Sequence, residues 1–215
     1  MTILYYIHDP MCSWCWGFKP VWIALQKNLS PTITVKYLLG GLAEDSDKIM
    51  PISLQSTIQQ TWHTIEQEIP GVTFNFDFWA ENKPRRSTYP ACRAVIAARN
   101  QGAHYNVKMI DSIQRAYYIN AKNPSDLNVL IQCAKDIGLN MDSFTHDLSS
   151  NETAETLNEE IELSRKLGTQ GFPSLLLKHN QKDYFIELDY NCADSMLNDI
   201  ETILKTNDIA TSTLS

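Results

Sequence analysis

The chain has 215 residues, of which 43% are hydrophobic and 20% are charged, an ordinary globular composition that argues against wholesale disorder. Its formal net charge of −7 argues against binding to a nucleic-acid backbone, which needs clustered lysine and arginine. The first ten residues, MTILYYIHDP, lack the basic start of an export signal and the long apolar run of a membrane span. We therefore expect a cytoplasmic protein without nucleic-acid or membrane partners.

The first predicted elements are a strand and a helix. Residues 2–7, TILYYI, form a continuous apolar and aromatic run that is too short for a helix and predicts a strand buried on both faces. Beyond Gly17, apolar residues recur at the spacing of an amphipathic helix that ends before Pro31. These residues are Phe18, Val21, Trp22, Leu25 and Leu29. We expect this helix to begin at or near Cys12.

A second strand and a long helical segment are predicted next. Residues 32–41, TITVKYLLGG, indicate a strand that completes a strand-helix-strand unit, with parallel strands and a right-handed crossover. From Glu44 to Leu167 the apolar residues follow a helical period instead. One such series is Ile58, Trp62, Ile65 and Ile69. The middle of the chain is therefore predicted to be helical.

Two short strands and a last helix are predicted after Gly171. The segments PSLLLK and YFIEL flank the turn HNQKD, and an amphipathic pattern follows them. Because strands occur at both ends of the chain, one mixed sheet with the helical middle inserted buries both sets. The predicted fold class is α/β, with a sheet core formed by residues 1–43 and 169–215 and an all-helical insertion formed by residues 44–168.

Cys12 and Cys15 form a C-x-x-C pair inside the segment HDPMCSWCWGF. Structural zinc needs four ligands, and neither a second cysteine pair nor a histidine pair occurs elsewhere, so we predict no metal. Haem attachment requires histidine directly after the second cysteine, where tryptophan stands. A pair of buried thiols stays open as the plain alternative. The scattered Cys92, Cys133 and Cys192 are interpreted as small buried hydrophobic residues.

The position of the cysteine pair favours a redox function. Because a buried strand gives way to a helix here, the Cys12 sulfur would face the unpaired amides and partial positive charge of the helix N-terminus. Such a position favours a thiolate over a thiol, so Cys12 is the predicted nucleophile. Cys15 lies one turn further along the helix, where we expect it to stay protonated and to resolve the mixed disulfide.

The cysteine motif is accompanied by two further landmarks. Cys12-Ser13-Trp14-Cys15 follows a predicted strand, Pro20 lies five residues beyond the second cysteine, and TQGFPSL precedes another strand. In these features the chain resembles the thioredoxin superfamily, and within it the DsbA-like branch. The segments CSWCWGF, RRSTYPACRA and IQRAYYIN resemble a signal-less subgroup described as predicted protein disulfide isomerases and related to FrnE-like proteins.

This resemblance implies a fold, an activity and a substrate-binding surface. We expect a thioredoxin-like mixed sheet with a large helical insertion, and thiol-disulfide oxidoreductase activity. The peptide between Phe172 and Pro173 is expected to be cis and to face the cysteines. Ser13 and Trp14, which stand between the cysteines, together with Phe172 and Pro173 are the candidate substrate-binding residues, and Trp14 is expected in an exposed turn.

The resemblance also indicates partners. The predicted partner is a disulfide-containing protein or a small thiol. No resident cofactor is implied, while glutathione stays open as an electron donor or co-substrate. Nothing in the sequence predicts an oligomeric state.

Other residues near the pair receive structural interpretations. Trp16 and Phe18, inside the predicted helix, are expected to pack in the core. His8 and Asp9 are expected to cap a strand end or a turn, as Asp-Pro sequences commonly do. Residues 87–89 are expected either to face the cysteines or to form a helix N-cap before a proline.

The residues between the cysteines bear on the direction of the reaction. Ser13 and Trp14 replace the Pro-His pair of the strongly oxidising periplasmic relatives, and a cytosolic glutathione poise holds ordinary dithiols reduced. We therefore predict a disulfide reductase or isomerase. Two alternatives stay open, namely glutathione-dependent transfer or isomerisation of a small electrophile, whose relatives carry serine where Cys12 stands, and a chaperone-like or redox-sensing binder.

Overall fold

The computed structural model describes residues 2–212, and the side chains of residues 2–206. Its sheet consists of β1 (Thr2–His8), β2 (Ile33–Leu39), β3 (Ser174–His179) and β4 (Lys182–Ile186), in the order β2-β1-β3-β4. β1 and β2 are parallel, while β3 is antiparallel to both β1 and β4. The predicted mixed sheet, formed from the two ends of the chain, is confirmed.

Two helices cover one face of this sheet. They are α1 (Ser13–Asn28), the crossover between the parallel strands, and α9 (Ala193–Ser212), which packs beside it. The core between sheet and helices contains Leu4 and Tyr6 from β1 and Leu175 and Leu177 from β3. These side chains share a face because successive residues of a strand point to opposite sides. The main apolar residues that the two helices contribute are Phe18, Val21, Trp22, Leu25, Met196 and Ile200.

The chain between β2 and β3 is helical and forms a second core. Its helices are α2 (Ile52–Glu68), α3 (Asp77–Glu81), α4 (Tyr89–Asn100), α5 (His104–Tyr118), α6 (Leu127–Asp136), α7 (Met141–Leu148) and α8 (Asn151–Lys166). All seven lie within the segment 44–168 that the sequence assigns to the insertion. Trp62 of α2 is fully buried among aromatic rings in this core, and α4 crosses its middle.

The insertion joins the sheet at the carboxyl end of β1 and β2. Glu160 of α8 accepts a hydrogen bond from the Leu39 amide at 2.7 Å and forms an ion pair with Arg99 of α4. Met11 and Leu39 belong to the apolar core of the insertion. The prediction that β1 is buried on both faces is therefore right only near this end, because Ile3 and Tyr5 remain half-exposed. No helix within residues 2–212 combines the length and apolarity needed to cross a bilayer.

Candidate active site

Cys12 is the N-cap residue of α1, as the sequence predicts. Its backbone is extended, with φ of −80° and ψ of 120°, and its carbonyl accepts the Trp16 amide at 3.1 Å. Its own amide donates to the Asp9 carbonyl at 3.1 Å, which closes the turn after β1. No side chain of the described residues caps this helix. The free amides and the partial positive charge of the helix start therefore lie beside the Cys12 sulfur.

The two thiols of the pair differ in access. The exposed fraction is 7% for Cys12 and 0% for Cys15, and neither forms a disulfide. Burial raises the pKa of the Cys15 thiol well above its usual value, and a hydrogen bond with Cys12 and the charge of Cys12 raise it further. The arrangement thus combines an accessible sulfur at the helix start with a protonated thiol behind it.

The loop before β3 lies directly against the cysteine pair. The Phe172–Pro173 peptide is cis, which confirms the prediction. The Cys12 thiol donates to the Phe172 carbonyl at 3.3 Å, although the two residues are 160 positions apart. The Phe172 ring packs on Gly40, where a Cβ atom would overlap it. Because the half-buried ring occupies this slot, the main chain of the loop is the part that faces the thiol.

Trp14 lies in the first turn of α1 rather than in an exposed turn between the cysteines. Since the helix begins at Ser13, both residues between the cysteines are helical and half-exposed. The Trp14 ring packs edge-on against Tyr190, with the centroids 5.2 Å apart. Its other surroundings form a groove of about 480 Å³ against the face of α2. The α2 residues that line this groove are Ser56, Thr57, Gln60, Thr61 and Thr64, all uncharged.

Trp16 and Phe18 pack as predicted. Phe18 is fully buried in the sheet core. Trp16 stacks on Tyr118 of α5 with centroids 5.7 Å apart, and its indole Nε1 donates to the Thr73 carbonyl at 3.2 Å. These contacts connect the helix that carries the cysteines to the insertion.

Three tyrosines around the pair were missed by the sequence analysis. The pKa values of Tyr6, Tyr118 and Tyr190 are raised, first by burial, with the charges of Cys12 and Cys15 raising them further. The Tyr118 hydroxyl is buried without a hydrogen-bond partner among the described residues. The three tyrosines come from β1, α5 and the segment before α9, so no spacing in the sequence indicates that they meet.

Asp9 makes more contacts than the predicted turn cap. Its Oδ1 atom accepts the Met11 amide at 2.8 Å, which is such a cap. Its Oδ2 atom accepts the Leu42 amide and the Thr88 hydroxyl, each at 2.7 Å, and the Cys92 thiol at 3.5 Å. Thr88 is the N-cap residue of α4, but its hydroxyl binds Asp9 and makes no capping hydrogen bond. The carboxylate thus joins three separate segments.

His8 is buried in an aromatic slot. Its ring is parallel to Tyr6 with centroids 5.0 Å apart and edge-on to Tyr37 at 5.8 Å. Neither ring nitrogen has a hydrogen-bond partner among the described residues. Burial, with a smaller effect from the charge of Arg99, lowers the pKa of His8 from 6.5 to about 3. His8 is therefore a neutral core residue at physiological pH.

The remaining cysteines follow the prediction in two cases of three. Cys92 and Cys133 are buried. Cys192 is exposed, so the prediction that it is buried is wrong. It lies in the turn before α9, where its amide donates to the Asp189 carboxylate at 2.9 Å, and this turn holds its side chain at the surface. Within the described residues no three His, Cys, Asp or Glu side chains come together in a way that could hold a metal ion.

Comparison with known proteins places these features in a family. A model of the thioredoxin family, Thioredoxin_5, matches residues 5–197. Among solved structures, a candidate protein disulfide isomerase from Nitrosomonas europaea is 28% identical with a TM-score of 0.85, and 95% of this chain and 98% of that chain are covered. The cytosolic disulfide reductase DsbM from Pseudomonas aeruginosa is 23% identical with a TM-score of 0.75, at 95% and 99% coverage, and this second likeness shows the fold alone.

Curated relatives carry a different description. The ClpXP adapter proteins SpxH of Halalkalibacterium halodurans and Bacillus subtilis are each 24% identical over 84% of this chain. The chain spans about 60% of the length of these relatives. Because the family model covers most of the chain and the sheet, the insertion and the cis-proline loop have the expected arrangement, the chain belongs to the thioredoxin family and is a DsbA-like member of the thioredoxin superfamily.

Proposed function

We propose that this protein is a thiol-disulfide oxidoreductase of the reductase or isomerase type, with Cys12 as the attacking thiolate and Cys15 as the resolving thiol. The observation that carries the proposal is the Cys12 sulfur at the start of α1, 3.3 Å from the Phe172 carbonyl of the cis-proline loop. An accessible thiol beside free helix amides is activated as a nucleophile, whereas a fully buried thiol is protected from external attack. The difference in exposure between the two cysteines supports these roles.

The proposed reaction proceeds by two exchange steps. The Cys12 thiolate attacks one sulfur of a substrate disulfide, the substrate S–S bond breaks, and the departing thiolate takes up a proton. The Cys15 thiol then loses its proton and attacks the Cys12 sulfur, which releases the second substrate thiol and leaves a Cys12–Cys15 disulfide. Two electrons pass to the substrate, so an external thiol must reduce the protein again. In isomerisation, a substrate thiol instead attacks the mixed disulfide and no net electrons are transferred.

The proposed substrates are disulfide-containing proteins or small disulfides. Ser13, Trp14, Phe172 and Pro173 surround the Cys12 sulfur and would contact the chain attached to the attacked disulfide. Trp14 also lines the uncharged groove along α2, which suits a substrate segment of neutral side chains. Hydroxyl and amide groups there can bind a peptide backbone without desolvating a charge.

We infer a reducing direction and a cytoplasmic location. Serine and tryptophan between the cysteines supply no charge comparable to the histidine of strong oxidases. The likeness to a protein named as a cytosolic disulfide reductase, which has also been solved with GSH, supports glutathione as the external thiol. In this proposal residues 1–43 and 169–215 form the catalytic core, and residues 44–168 form the helical part that contacts substrate.

The proposal is tested by disulfide reduction with single-cysteine variants. The wild-type protein should reduce a fluorescence-quenched disulfide peptide in the presence of glutathione. Cys12→Ser should abolish turnover, and Cys15→Ser should trap a mixed disulfide visible by mass spectrometry. Cys192→Ser, which removes an exposed thiol outside the pair, is the matched control and should retain full activity. Turnover that survives loss of Cys12 would refute the proposal.

A binding function is the second candidate, because the curated relatives are named as adapters of ClpXP. An adapter of this kind would bind a protein whether or not Cys12 and Cys15 are present. Binding that persists in the double serine variant, together with no exchange activity in the wild-type protein, would favour it. Turnover that needs glutathione but tolerates loss of Cys15 would instead favour a glutathione-dependent transferase or isomerase.

A further inference from the structure

Asp9 is a fully buried carboxyl group that no step of the proposed reaction uses. It lies three residues before Cys12 and accepts hydrogen bonds from four donors. The donors come from the turn before α1, from the segment after β2 and from the start of α4. A single side chain therefore joins the cysteine loop, the sheet edge and the insertion.

The contacts of Asp9 are those of an ionised carboxylate. Two backbone amides and the Thr88 hydroxyl point at its oxygens at 2.7 to 2.8 Å. Hydrogen bonds donated to a carboxylate favour its charged form and offset the cost of burial. These bonds lower the pKa of Asp9 while burial, the larger effect, raises it. A protonated Asp9 would have to donate a hydrogen bond, and this donor set gives it no free acceptor.

Asp9 acts on the cysteine pair through space and through the main chain. Its carbonyl accepts the Cys12 amide at 3.1 Å, and its main chain hydrogen-bonds the Cys15 sulfur. The negative charge of its side chain raises the pKa of the Cys15 thiol and also those of Cys92, Tyr117 and Tyr118. A fixed negative charge beside the pair disfavours thiolate there. The disulfide carries no charge and is not penalised in this way.

We propose that Asp9 is a positioning residue that holds the cysteine loop against the insertion and that its charge biases the pair toward the disulfide, which makes the reduced protein a better electron donor. The inference deepens the proposed function, because it assigns to one buried residue the reducing character of the pair. It concerns the redox equilibrium of this protein itself, so it can be measured whether or not a substrate is turned over.

The first test compares the reduction potentials of Asp9→Asn and Thr88→Val with that of the wild-type protein. Each protein is equilibrated in glutathione redox buffers, and the reduced fraction is measured by thiol trapping. Asp9→Asn removes the charge at nearly constant shape and should favour the reduced form about tenfold, which corresponds to about 30 mV in the oxidising direction. Thr88→Val keeps the charge but removes one donor, so it should lower the melting temperature and shift the equilibrium less than twofold. An unchanged potential in Asp9→Asn, or equal shifts in both variants, would overturn the proposal.

A second test needs no substitution and applies even if Asp9→Asn fails to fold. By linkage, the redox state of the pair must change the proton affinity of Asp9 by the same factor as Asp9 changes the redox equilibrium. The Asp9 carboxyl carbon is followed by NMR across a pH titration of reduced and of oxidised protein. The titration midpoint should be about one pH unit lower in the oxidised protein, as a tenfold coupling requires. Identical midpoints would refute the inference. Loss of peptide reduction by wild-type protein with these midpoints different would refute only the proposed function.

Discussion

Replacing His8 by phenylalanine should remove a loss of stability in mild acid. The imidazole lies between aromatic rings, and neither of its nitrogens has a hydrogen-bond partner among the described residues. Phenylalanine preserves the stacked ring, so the substitution sacrifices no hydrogen bond. It removes only the capacity to bind a proton. At neutral pH the variant should be at least as stable as the wild-type protein.

The magnitude follows from the shift in proton affinity. Burial lowers the pKa of His8 to about 3, against 6.5 in the unfolded chain. Between these values the unfolded state binds more protons, so stability rises with pH and is lost as pH falls below about 6.5. From pH 7 to pH 5 the unfolded histidine becomes almost fully protonated while the folded one stays neutral, which lowers the free energy of unfolding by about 2 kcal/mol.

Urea unfolding at pH 7 and pH 5 measures this effect. The difference in unfolding free energy between wild type and His8→Phe isolates the histidine, because Asp9 and the other acidic groups titrate in both proteins. That difference should shift by about 2 kcal/mol in favour of the variant on going to pH 5, with unchanged m-values. Parallel stability profiles would show that the histidine is not held neutral and would refute the reasoning.

Three further outcomes are expected. Gly40→Ala places a methyl group into the Phe172 ring and should displace the cis-proline loop, reducing disulfide exchange about tenfold and lowering the melting temperature, while Gly171→Ala, which meets no atom within 4 Å, should do neither; equal rates would contradict the packing described. Tyr118→Phe removes a buried hydroxyl without a partner among the described residues, so chemical denaturation should show a gain of about 1 kcal/mol, and a loss would reveal an unseen hydrogen bond. Brief iodoacetamide treatment of the reduced protein should label Cys12 before the other member of the pair, since only Cys12 has exposed surface, and mass spectrometry showing the reverse order would reassign the nucleophile.

The elements around the cysteine pair could be predicted because their signals are local. An apolar run of six residues indicated β1, the helical spacing after Gly17 indicated α1, and Cys12 stands where one gives way to the other. The cis-proline loop was found by resemblance rather than by pattern. Local hydrogen bonding and hydrophobic periodicity govern these features, so short windows of sequence contain the information needed.

The sequence by itself therefore determined the α/β class, the helical insertion and the position of the cysteine pair at a helix start. Tertiary structure alone decided that the Asp9 carboxylate meets Thr88 and Cys92, and that Tyr118 lies beside the pair. It also decided that Trp14 packs on a residue near α9 and that one cysteine stays exposed. Such contacts join residues tens of positions apart, and their free energy depends on how the insertion packs against the sheet. No periodicity or spacing records that packing, because it arises only when both cores have formed.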